Sequence, residues 1–207
     1  MKPMVHEHPK TFKRVSKMLL FVALFAFQFG HSQEGSDTPA MLAGKNEVRV
    51  DLLTLALRTE LNLTYEHFLN KDWSVGVFGG YADSQKLNDD FDSGYRNNVP
   101  KYEVNPFVRY NLSKSQTSFY FAEAFVSANG GDFKETVRLV DDSGNGYYVN
   151  EKSSYSDFGV GAALGYKLYI KEKFGIELLV GFGRNLFNTD KSPDTLSRVG
   201  LSLGYRF

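Results

Sequence analysis

The sequence predicts an all-β chain, an eight-stranded antiparallel up-and-down transmembrane β-barrel. Three observations point to it. Apolar and polar residues alternate through eight stretches, the period of a strand with two unlike faces. The links between them alternate in length, as in a barrel with short inner turns and long outer loops. Phenylalanine (18), tyrosine (12) and glycine (19) are abundant. That mix suits strands, because aromatics favour pleated surfaces and glycine weakens helices.

The N-terminus has the pattern of an export sequence. Lys10, Lys13, Arg14 and Lys17 precede the apolar run "MLLFVALFAFQF", Met18 to Phe29, and "GHSQ" follows. Residues 1–32 are expected to be a secretory signal peptide, with Gly30 and Ser32 at positions −3 and −1 of a cut before Gln33. A dozen apolar residues fall short of the roughly 20 that a spanning helix needs. Removing residues 1–32 would leave 19 of the 24 basic and 23 of the 24 acidic residues, a net charge near −4. Nothing in that balance points to nucleic acid. Cysteine is absent, which excludes disulfides, a thiolate nucleophile, a Cys-based zinc site and a lipoprotein anchor.

Residues 33–45 read as a polar periplasmic lead-in and 46–207 as the barrel. "EVRVDLLTL" opens the strand series, and "ELNLTYEHF" follows after a tight connection. "WSVGVFGGYA" lies across the turn "LNKD", and "YEVNPFVRYN" follows a polar loop from Asp83 to Lys101. "SFYFAEAFVSA" comes after "LSKSQTS"; "SDFGVGAALGYKLYI", "FGIELLVGFG" and "LSRVGLSLGYRF" complete the eight. No helix-period segment is expected among them.

The two faces differ in kind. One carries Leu61, Leu63, Tyr65, Trp73, Val75, Val77 and their counterparts through Leu203, Tyr205 and Phe207. Its aromatics gather at strand ends and its aliphatics in the middle, the layout of a lipid belt with aromatic girdles. The other face carries Glu66, Glu103, Glu123 and Glu177 against Arg109, Lys167, Arg198 and Arg206, with glycines between. A matched set suits an interior ionic network, since an unpaired buried charge costs several kcal/mol. It could not line the apolar pocket of a soluble ligand-binding barrel. The fifth stretch stays open, because Phe119, Phe121 and Phe125 share a face with Glu123.

"NEVRVDLLTLALRTELNLTYEHFLNKDWSVGVFGGY", Asn46 to Tyr81, resembles the opening of small outer-membrane β-barrel proteins common in Bacteroidota, among them a domain-of-unknown-function family. The shared features are an apolar first strand, a "Tyr-Glu" second strand and "Ser-Val-Gly" with further glycine. The layout is similar to OmpX- and OmpA-type barrels. The resemblance covers residues 46–207 and implies the outer membrane of a Gram-negative bacterium, with outer-membrane lipid around the chain. It also implies that Tyr205 and Phe207 form a carboxy-terminal signal read by the barrel assembly machinery. It implies no reaction.

Candidate chemistry is sparse. His67 is the one histidine beyond residue 32, and alternation turns it toward lipid near the periplasmic rim, away from Glu66. No enzyme activity, cofactor or metal site is expected; a lipid-modifying enzyme is the alternative, and a narrow small-solute channel a lesser one. Eight strands leave an interior filled by side chains. "NDDFDSG" groups Asp89, Asp90 and Asp92, hard ligands of the calcium type, but lacks the later glutamate of a full calcium loop. It reads as a solvated loop. "FKETVRLVDDSGNGYYVNEKSSY", 133–155, alternates on both sides of a hairpin turn. It is expected to form an exposed ribbon whose open edges could take a protein partner. The role expected is structural or interactive, through the outer loops of a monomer.

Overall fold

The structure, a computed structural model, describes residues 44–58, 60–113, 115 and 117–207. The expected signal peptide and the lead-in up to residue 43 lie outside the described residues. Eight strands close in chain order: β1 (Asn46–Asp51), β2 (Glu60–Phe68), β3 (Trp73–Ala82), β4 (Asn98–Asn111), β5 (Ser118–Val140), β6 (Gly146–Ile170), β7 (Phe174–Asn185) and β8 (Thr195–Arg206). All neighbours pair antiparallel, including β8 with β1. At that seam the Asn46 amide donates to the Phe207 carbonyl at 3.0 Å, and the Phe207 amide donates to the Asn46 carbonyl at 2.8 Å.

Among the described residues, two short helices correct the expectation of an unbroken strand series: α1 (Leu52–Arg58) and α2 (Gln85–Asp92). The first strand ends at Asp51 rather than Leu55, so the link to β2 is a helix and not a tight turn. Local chemistry explains this. The Asp51 carboxylate accepts from the Leu53 amide at 2.9 Å and the Thr54 amide at 3.2 Å, satisfying donors that a first helical turn leaves unpaired. The following "LLTLALR" is rich in good helix formers. α2 takes the first half of the expected Asp83–Lys101 loop, and β4 begins at Asn98, with a register shift between Pro100 and Tyr102.

Alternation sorts the side chains as the barrel pattern requires. Leu63, Val77, Val104, Leu164, Leu178 and Leu203 stand exposed on the outside. Rings pair near the short-turn end: Trp73 with Tyr110 and Tyr120 with Tyr166, both at 4.9 Å, and Phe174 with Tyr205 at 5.5 Å. β5 settles the open orientation. Phe119, Phe121, Glu123 and Phe125 are all buried in the lumen, while Tyr120 and Val126 face out. A continuous exposed apolar belt around a charged, buried interior needs hydrocarbon as its solvent. The protein is therefore a transmembrane β-barrel. Its three short turns, at 69–72, 112–117 and 171–173, share one end of the barrel.

Candidate functional site

The lumen is built in layers. At the short-turn end Phe68, Phe119 and Tyr169 are buried together. Arg206 closes this plug, its guanidinium 4.1 Å from the Phe68 ring centre and 4.9 Å from that of Tyr169, and its Nε donates to the Gly44 carbonyl at 2.6 Å.

Above the plug lies an ionic layer. Arg109 donates from Nε to Glu123 at 2.6 Å, from Nη1 to Glu66 at 2.9 Å and Glu177 at 2.7 Å, and from Nη2 to Glu177 at 3.0 Å. Lys167 Nζ donates to Glu66 at 2.7 Å and Glu47 at 3.1 Å, and lies 3.1 Å from Glu177. Arg49 donates to Glu47 at 2.7 Å and also to Glu66, while Arg198 donates to Glu123. Four carboxylates thus face four cations, every one of them buried. Neutrality with dense hydrogen bonding is what offsets the cost of drawing these charges out of water.

Aromatic rings clamp the arginines. Arg109 lies between Phe107 and Phe121, at 4.5 and 4.2 Å, and Arg198 lies between Phe78 and Phe125, each at 4.8 Å. The rings can lie against the wall because glycine stands beside them on the next strand. Gly76 pairs with Phe107, Gly161 with Phe125 and Gly165 with Phe121, and a Cβ at any of the three would strike the ring. The clamp adds cation–π attraction to the ion pairs.

Six of the eight charges expected inside meet in this layer: Glu66, Arg109, Glu123, Lys167, Glu177 and Arg198. Arg206 instead belongs to the plug. Glu103 lies toward the outer side, accepting from Asn105 at 3.2 Å. Glu47, Arg49 and the Tyr169 hydroxyl, which donates to Glu47, complete the layer; none was picked out from sequence. The alternation of "EVRVD" held the information, since Val48 faces out while Glu47 and Arg49 face in. Oxygens of Glu47, Glu66 and Glu177 lie within 4.8 Å of one another, close enough for a cation. Arg49, Arg109 and Lys167 already fill that role.

Above the ionic layer the lumen opens into a cavity of about 610 Å³. Asn62, Thr64, Phe78, Asn129, Leu179 and Arg198 line it, with Arg96, Lys101 and residues of α2 at the mouth. His67 is on the outer face at the other end, its Nδ1 2.8 Å from Asn46 Oδ1. Asp89, Asp90 and Asp92 lie on α2, and Asp92 accepts from Lys152 Nζ at 2.6 Å, which holds its carboxyl below the usual range.

Solved structures of similar layout include the N-terminal β-barrel domain of Pseudomonas aeruginosa OprF, at 11% identity and TM-score 0.49, covering 78% of this chain and 95% of that one. Yersinia pestis Ail, the attachment invasion locus protein, matches at 11% identity and TM-score 0.46, covering 79% and 99%. Neisserial surface protein A matches at 10% and 0.47, covering 78% and 94%. No curated protein matches the chain. A family model described as a protein of unknown function, DUF3575, matches residues 19–202. That match spans most of the sequence, the barrel as far as Ser202 included, and the chain belongs to the DUF3575 family.

Proposed function

We propose that the protein is a non-enzymatic surface-interaction barrel that binds a protein partner by strand addition at the β5–β6 ribbon. The observation that carries this reading is the ribbon's reach beyond its neighbours. β5 and β6 pair without a break from Ser118↔Leu168 to Val140↔Gly146. β4 accompanies β5 only to Phe133, and β7 accompanies β6 only to Gly159. Beyond those points each strand has one outer edge with no strand of the described residues beside it, a template for β-augmentation. Val137 and Val149, and Leu139 and Tyr147, are directly paired and so share a face. Leu139, Tyr147 and Val149 are exposed outside the lipid belt. The turn is firm: the Asp141 carboxylate accepts from the Asn145 amide at 2.8 Å and the Ser143 amide at 2.9 Å, which lowers its pKa.

The absence of catalysis is part of the proposal. His67 faces out at the periplasmic rim, bonded to Asn46, where no lumen group can use it as a base.

The test replaces 134–152 with an Asn-Gly turn, which suits a two-residue hairpin between Phe133 and Ser153. A photoreactive residue at Tyr147 should yield a defined cross-linked partner on intact cells, and one at the barrel rim should lose that partner when the ribbon is removed. Heat-modifiable gel mobility should persist. Unchanged rim cross-linking, or a barrel that no longer folds, would sink this reading.

A further inference from the structure

Above the ionic layer the barrel wall is incomplete as a sheet. β8 continues to Thr195, yet its pairing with β1 stops at Asp51↔Ser202, and β2 pairs with β1 only as far as Val50↔Leu63. Over the remaining height α1 follows β1 and packs on both β8 and β2. The cavity is lined by Thr54 and Leu57 of α1 and by β8 from Thr195 to Gly200. It therefore extends to the seam between α1 and β8. Backbone polar groups at such an edge cannot face bare hydrocarbon, so the seam belongs to a hydrated or ligand-filled space.

The lining is amphiphilic. Leu57 of α1, 75% exposed, and Val199 on the outer side of β8 mark the seam. Elsewhere in the cavity lining the Tyr155 hydroxyl and Arg96 Nε are buried, and neither has a hydrogen-bond partner among the described residues. Tyr155 as a whole is 3% exposed. An unmet donor in such a place costs free energy until an acceptor arrives. The volume also falls in the range of small-molecule sites.

We infer that the cavity binds a single-chain anionic amphiphile from the outer leaflet. Its phosphate or carboxylate head accepts from Arg96 and Tyr155, and its chain leaves through the α1–β8 seam across Leu57 and Val199. This site is separate from the ribbon and does not rest on it.

The test reconstitutes the protein in phosphatidylcholine nanodiscs with a trace of lysophosphatidic acid carrying a diazirine near its head. After illumination, peptide mapping should find adducts at Leu57 and Leu196–Val199 enriched about tenfold over the belt at Val77 and Leu178. Arg96→Gln combined with Tyr155→Phe should lower the seam adducts about tenfold, the value of one to two hydrogen bonds, and leave the belt adducts unchanged. Adducts spread evenly around the belt of the wild-type protein would overturn the inference, and that arm needs no variant to fold. Loss of seam adducts in millimolar inorganic phosphate would identify a free anion as the occupant and overturn the lipid assignment. Seam adducts that survive phosphate support it.

Discussion

Arg109 shows how much a single residue can hold here. It meets Glu66, Glu123 and Glu177 and is clamped by two phenylalanines. Arg109→Met keeps much of the side-chain volume but leaves three buried carboxylates short of a cation, and should destabilise the barrel by about 3–5 kcal/mol. Lys101→Met, which breaks a half-exposed pair with Asp132 at the rim, should cost less than about 1 kcal/mol. Urea unfolding in lipid vesicles checks both, and equal midpoints would refute the network's structural role. The inward charges followed from alternation, but the aromatics beside them did not. Phe121 under a guanidinium and against Gly165 has the same spelling as a phenylalanine in lipid. Only the neighbouring strands tell them apart, which is why β5 could not be oriented from its own residues.

At the scale of elements, the strands were readable because alternation is repeated many times in each. α1 was not, because "EVRVDL" alternates as far as Leu52 and the helix that follows is started by its cap. The deciding group is Asp51, whose carboxylate binds two amides of α1 and lies against Gly200 of β8. Asp51→Ala should remove about 0.5–2 kcal/mol of helix stability. Hydrogen exchange at residues 52–58 should then quicken while β2–β7 stay protected, since local opening need not unfold the rest. Uniform loss of protection would mean that α1 is part of the barrel's cooperative core. The ribbon was legible for a different reason: a strong turn sequence between two alternating arms sets its register from within.

For the whole molecule, the seam that closes the barrel runs as far as Phe207. Phe207 exchanges both backbone hydrogen bonds with Asn46, and its ring stacks on Tyr205 at 6.4 Å, half exposed to lipid. Closing the β1–β8 seam is the role its backbone has here; the family resemblance implies a second, as an assembly signal, which is a proposal. They separate by substitution. Phe207→Ala keeps both backbone bonds and loses only the ring, whereas deletion of Phe207 loses everything. If closure alone matters, the alanine variant should fold like wild type both in detergent and in cells, and only the deletion should suffer. If the ring is read during assembly, Phe207→Ala should refold normally from urea into detergent yet accumulate unfolded in the periplasm, with heat-modifiable protein in the outer membrane falling several-fold. The second pattern is the one expected. A side chain half exposed at the lipid boundary contributes little to packing, while a backbone that already closes the barrel without it leaves the ring free to be recognised.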